Sequence, residues 1–300
     1  MQTRLQPWRD YSGRISPLKL LVFLALFVPA TWIAVGLTTR TGDFAARPLM
    51  EAIHQAGLWT IRLLMLALLV TPLRQSLQWP RLMLVRRMIG VAAFAYITLH
   101  FTLFVTDQDF DLVKVASEIV LRFYLTLGFI ALLGLATLAA TSTDAMMRRL
   151  GRNWTRLHRI IYGIGVLAVI HYFMQSKLDE WEPTILAGLF GWLLLYRVAA
   201  LGFPKNRPLP LWALLMLALL AAALTAGGEA VFFWLTLGAD PLRVLGINLS
   251  LMLGVRPSWY VLGAGLAVVL ASALRSLFGP RPRAKAGAAP LRGRAATPAP

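Results

Sequence analysis

Eight apolar runs decide what this chain can fold into. They lie at roughly residues 17 to 37, 56 to 72, 87 to 106, 120 to 140, 157 to 175, 183 to 202, 209 to 227 and 257 to 277. A helix rising ~1.5 Å per residue needs ~20 residues to cross ~30 Å of hydrocarbon, and each run is near that length. The expected fold is therefore all-α, a polytopic transmembrane helix bundle of about eight spans. Composition agrees: 58% of the 300 residues are hydrophobic and the mean hydropathy is +0.66. The first run follows Arg4, Arg9 and Arg14, as a signal peptide would. It is long and has no convincing small-x-small cleavage site, so it is expected to stay as a helix.

The formal net charge is +17. In a soluble domain that excess would suggest nucleic acid, but here the bases sit in short segments between apolar runs, where they orient a chain in the bilayer. No nucleic-acid partner is expected; the partner is lipid. With the N-terminus inside, the inner segments hold Arg74, Arg81, Arg86 and Arg87, then Arg148, Arg149, Arg152 and Arg156, then Lys205 and Arg207. The acids Asp107, Asp109, Asp111, Glu118, Asp179, Glu180 and Glu182 fall outside. Both termini are expected in the cytoplasm. The segment from Pro280 to Pro300 is too poor in apolar residues to fold alone and reads as disordered. No internal repeat is evident. There is no cysteine, which excludes disulfides, thiol redox chemistry and cysteine-ligated iron–sulfur clusters. Any redox chemistry must come from a bound cofactor.

The stretch "NWTRLHRIIYGIGVLAVIHYF", residues 153 to 173, keeps a histidine near each end, His158 and His171. The third span carries His100 and the fifth His171, both a few residues before an outer end, so they lie at similar depth. His54 sits at the outer mouth of the second span and reads as a reserve ligand or a propionate contact for a cofactor there. A histidine in a membrane helix ordinarily hydrogen-bonds a neighbouring helix. Two at one depth on facing helices can instead close both axial positions of a haem iron, which then transfers electrons and binds no substrate. His158 lies 13 residues before His171, about 20 Å along a helix, and cannot share that haem. It marks an inner level, where a second haem would need another ligand such as Met83, Met88 or Met147. Alternatively that level holds something anionic against Arg86, Arg87, Arg152 and Arg156. Near the outer ends, Arg62 suits a haem propionate, and Arg122 either a propionate or the headgroups.

The stretches "TPLR" (71 to 74), "RRMIG" (86 to 90), "TLH" (98 to 100), "RFYLTLG" (122 to 128), "TSTDAMMRRLGRNWTRLHRIIY" (141 to 162) and "IHY" (170 to 172) resemble the MsrQ family, formerly called YedZ. That family is the haem-binding membrane subunit of the bacterial MsrPQ system, within the ferric-reductase-like transmembrane group. The resemblance covers roughly residues 44 to 200. It implies a b-type cytochrome of the bacterial inner membrane, with haem histidines at His100, His158 and His171. Such a subunit takes electrons from a cytoplasmic flavin reductase or quinol. It passes them to MsrP, a periplasmic molybdoenzyme that reduces methionine sulfoxide in envelope proteins. Family members are also described with FMN.

On this reading residues 1 to 16 form a cytoplasmic N-terminus, 17 to 202 a six-helix haem-binding core, 203 to 278 two additional C-terminal helices and 279 to 300 a disordered basic tail. The chain has no group of its own for reducing a sulfoxide. A stand-alone ferric reductase would normally need a nucleotide-binding segment such as G-x-G-x-x-G, which is missing. A transporter would show repeats, broken helices and intramembrane carboxylates, and the central parts of the eight runs contain no acid. A structural assembly factor would carry no visible chromophore.

Overall fold

The computed structural model describes residues 7–9, 13–177, 179–204, 207–250 and 254–278. All eight apolar runs are helices: α1 (Pro17–Thr39), α2 (Pro48–Ser76), α3 (Pro80–Asp107), α4 (Phe123–Ala140), α5 (Arg152–Ser176), α6 (Trp181–Gly202), α7 (Leu211–Leu237) and α8 (Pro257–Phe278). The chain is a polytopic all-α bundle and a multi-pass membrane protein. One end of the bundle, the acidic end, carries Asp107 to Asp111 and Glu180 to Glu182; the other, the basic end, carries Arg81, Arg87, Arg148 and Arg149. The basic tail beyond Phe278 lies outside the described residues.

Helix ends depart from the apolar runs where polar residues continue a helix past them. α2 is 29 residues long because Glu51, His54 and Gln55 precede its apolar stretch and Arg74 and Gln75 follow it. α7 continues to Leu237 and so brings Glu229 into the bundle at 1% exposure. The expectation of spans free of acid is corrected there: the helix outlasts the apolar run, and its acid is compensated. Glu229 forms an ion pair with Arg256, whose guanidinium also approaches Glu180 at 3.8 Å and lies over the Trp181 ring. A charge is tolerated at such a position only when paired.

Two prolines shape the core, and each break is repaired from another helix. Pro29 has no N–H for the carbonyl four residues back, and α1 breaks at Leu26–Phe27. The Tyr96 hydroxyl of α3 fills the break, donating to Leu26 O at 2.7 Å and accepting from Ala30 N at 2.9 Å. In α2, Pro72 cannot bond the Leu68 carbonyl. Arg197 of α6 donates to that carbonyl at 3.0 Å.

α2 packs mainly on α3, and α4 on α5, while α3 and α5 share almost no direct contact. α6 joins the core to α7 and α8, and all three share one apolar cluster with α2 through Leu58, Leu68, Phe190, Leu214 and Val261. Small residues bring these last helices close. A Cβ on Gly188 would meet Thr225 and Val261, and one on Gly265 would meet Ala218 within 3 Å.

Candidate functional site

His100 projects from α3 and His171 from α5 at the same level, with ring centroids 6.4 Å apart and planes at 86°. His100 Nδ1 lies 2.7 Å from the Ile53 carbonyl of α2, and His171 Nδ1 lies 2.7 Å from the Tyr124 carbonyl of α4. A carbonyl only accepts, so Nδ1 carries the proton in each ring and Nε2 keeps a free lone pair. A carbonyl at the other ring nitrogen is what fixes the tautomer and orientation of a ligating histidine.

The two arrangements are counterparts. In each, the histidine lies 47 residues after the residue whose carbonyl it uses, and a glycine follows that residue by four: Ile53 and Gly57 for His100, Tyr124 and Gly128 for His171. In a helix the carbonyl of one residue points toward the residue four later, where a Cβ would crowd it. A Cβ on Gly57 would lie 2.9 Å from His100 Nδ1, and one on Gly128 would lie 2.9 Å from His171 Cε1. Glycine is needed at both for the ring to reach the backbone. The pairs α2–α3 and α4–α5 are thus quasi-equivalent, although no repeat is visible in the residues between. The signal in the sequence is the spacing Gly-x42-His, which occurs for both histidines.

With metal–nitrogen bonds of about 2 Å, two imidazoles on opposite sides of one metal have centroids about 6 Å apart. The observed separation fits that arrangement. Among the described residues no group of three or more His, Asp or Glu side chains could hold a bare metal ion. Two histidines alone suit a metal whose remaining positions a macrocycle fills.

The other residues singled out in the sequence divide. His54 packs beside the Tyr172 ring, 6.0 Å between centroids, next to the residue whose carbonyl holds His100. Arg62 pairs with Glu182, which also accepts from Tyr172 Oη at 3.0 Å, and lies over the Trp59 ring. A carboxylate of the chain itself therefore answers Arg62, and no propionate is needed to account for it. Arg122 pairs with Glu118 at the exposed start of α4.

At the basic end His158 stands apart from any second histidine. Its ring stacks on Trp154 at 3.9 Å, and its Nδ1 lies 3.1 Å from the Trp154 carbonyl. Ser142 Oγ lies 3.4 Å from Nε2 and donates its one proton to Leu138 O at 2.6 Å, and the His158 ring reaches that same carbonyl. Met88 packs on the α1 side, in the cluster around Ile33 and Phe44. Arg87 pairs with Asp144 and holds that carboxyl below the usual carboxylate range, chiefly through their hydrogen bond. Arg86 instead lies in electrostatic range of Arg74, Arg197, Tyr162 and His158. The Nε atoms of Arg74 and Arg197 are buried without a hydrogen-bond partner, and Arg197 stacks over Tyr162 at 5.2 Å. The sequence groups Arg86 with Arg87, Arg152 and Arg156; in the structure Arg87 pairs with Asp144, Arg152 and Arg156 are exposed, and Arg74 and Arg197 lie near Arg86 instead, since these pairings depend on where distant segments fold back.

Residues 56–169, which include His100 and His158, match the family described as "Ferric reductase like transmembrane component". A protein of Rhodospirillum rubrum is 40% identical over 192 residues, covering 63% of this chain and 89% of its own length. The chain belongs to the MsrQ family. That relative bears the name "Protein-methionine-sulfoxide reductase heme-binding subunit MsrQ", as do two others. The one from Xanthomonas campestris pv. campestris is 46% identical over 154 residues, 51% of this chain and 71% of the relative. The one from Caulobacter vibrioides is 39% identical over 180 residues, 59% and 85%. No solved structure matches.

Proposed function

We propose that this member of the MsrQ family is a b-type cytochrome subunit that binds haem between His100 and His171 and carries electrons across the bacterial inner membrane to a separate periplasmic sulfoxide reductase, MsrP. The observation that carries the reading is the pair of rings 6.4 Å apart, each with Nδ1 at a carbonyl of a neighbouring helix. His100 and His171 would hold the haem, which would supply one-electron exchange at its iron. The Ile53 and Tyr124 carbonyls keep the proton on Nδ1, which leaves Nε2 of both rings neutral and free to ligate. Gly57 and Gly128 keep the rings in register with their helices.

His158 and the arginines at the basic end form the entry level, about 20 Å from His171 by helical rise. Arg74, Arg86 and Arg197 suit an anionic cofactor, a second haem through its propionates or FMN through its phosphate. The basic end is the cytoplasmic one, where a flavin reductase or quinol donates. The acidic end, with both termini on the opposite side of the membrane, meets MsrP. The two C-terminal helices brace the six-helix core.

Substitution of His158 by Ala tests the division into two levels. Dithionite should still reduce the haem at His100 and His171, while reduction through a cytoplasmic flavin reductase or quinol should slow severely. Equal rates by both routes, unchanged from the unaltered protein, would leave His158 a packing residue and remove the entry level.

A further inference from the structure

A cavity of about 440 Å³ lies between the last turns of α2 and α8 and the linker that leads into α7. That volume is within the range of small-ligand sites. Among the described residues its polar lining is Ser76, Gln78, Arg207, Ser272, Arg275 and Ser276; the remaining described walls are prolines, leucines and Phe203, and none of the described lining residues is acidic. Ser76 is 2% exposed and its hydroxyl lies beside that of Tyr196, which donates to Gln75 Oε1 at 3.0 Å and is left to accept from Ser76. Arg275 Nε donates to Leu77 O at 3.1 Å, which fixes the guanidinium against α2 and leaves its terminal amino groups for another acceptor. Arg207 forms no ion pair among the described residues.

We propose that this cavity is a binding site for a phosphate group. Two guanidinium forks in one cavity repel unless an anion lies between them, and their planar geometry matches phosphate oxygens. The Ser272 and Ser276 hydroxyls already donate to the Ser76 and Ala273 carbonyls, so the donors facing the cavity are the two guanidinium groups and the Gln78 amide, and a phosphate offers them three or four oxygens where a carboxylate offers two. The lack of any carboxylate in the lining excludes a metal cation and disfavours a headgroup that carries its own positive charge. The ends of α2 and α8 place the cavity at the depth of lipid headgroups, so the phosphate belongs either to an anionic phospholipid or to a soluble phosphate compound.

The test uses the full chain and reads no redox activity. Native mass spectrometry after reconstitution in nanodiscs of mixed phosphatidylglycerol and phosphatidylcholine reports retained lipid. Thermal unfolding in detergent with inorganic phosphate, against chloride at equal ionic strength, reports soluble phosphate. The unaltered protein should retain phosphatidylglycerol over phosphatidylcholine, or be stabilised by phosphate, and Arg207→Gln should weaken that binding by about tenfold or more. Arg207 is exposed, so this variant keeps its fold where Arg275→Gln would also loosen α8. Retention of phosphatidylglycerol alone assigns the site to a headgroup, and stabilisation by phosphate alone assigns it to a soluble phosphate. Binding of neither probe, or binding that Arg207→Gln leaves unchanged, would overturn the proposal.

Discussion

The acidic and basic ends of the bundle handle buried charge in opposite ways. At the acidic end Arg62 pairs with Glu182 and Arg256 with Glu229, and Glu180 adds a second carboxylate beside Arg256. The two histidines there are likewise answered, each by a carbonyl of a neighbouring helix. At the basic end Arg74, Arg86 and Arg197 gather around Tyr162 and His158, and among the described residues no carboxylate pairs with them. Arg87, at the rim, pairs with Asp144. The buried charges of the acidic end are answered within the chain, and on the proposed function an anionic cofactor would answer those of the basic end.

The contrast can be broken by charge removal. Arg256→Gln leaves the Glu229 carboxylate buried alone and should cost about 3–5 kcal/mol of stability. Arg86→Gln removes a charge that has no protein partner and should cost under about 1 kcal/mol, while weakening the hold on the anionic occupant. Unfolding in detergent compares them, and equal losses would mean that the basic cluster already has its counter-charge in the chain.

A smaller effect sharpens the equivalence of the two histidine arrangements. Gly57→Ala and Gly128→Ala each put a methyl group 2.9 Å from an imidazole atom, which overpacking would penalise by about 1–3 kcal/mol. Both should lower haem retention and shift the reduction potential by similar amounts, measured by reduced-minus-oxidised spectra and redox titration. A large effect at one glycine and none at the other would show that the arrangements are not counterparts.

The smallest effect is at the rim of the basic end. The Arg87–Asp144 pair is exposed on both sides, so Asp144→Asn should cost at most about 1 kcal/mol near neutral pH. The Asp144 carboxyl is held below its ordinary value by Arg87. Its contribution is therefore present above the unfolded carboxylate range near pH ~4 and lost as the pH falls through the lower folded value. The difference in stability between variant and unaltered protein should vanish in acid, and one that persists there would assign the loss to something other than this pair.

Spans and the depth of the histidines are legible because both depend on counting along a helix, which apolar run length and the 1.5 Å rise fix without tertiary knowledge. His100 and His171 meet as that counting implies. What is illegible depends on which partner a side chain reaches. Arg62 and Arg87 look alike as bases near helix ends, and only the fold shows that each has an acid from a distant segment. Arg197 looks like an ordinary base at the end of α6, and its bond to Leu68 exists because Pro72 frees that carbonyl across the bundle. Glu229 escapes notice because α7 outlasts its apolar run. The glycine spacing was present in the residues, but its meaning requires knowing that helix pairs α2–α3 and α4–α5 pack alike.

The central claim is that His100 and His171 are the two axial ligands of one haem. Low-temperature EPR of the oxidised, purified protein tests it directly, because two imidazole ligands give low-spin ferric iron and near-perpendicular rings make that signal strongly anisotropic. The account predicts such a low-spin signal in the unaltered protein and its loss, to high-spin iron or to no haem at all, in both His100→Ala and His171→Ala. A low-spin signal that survives unchanged in either variant would contradict it.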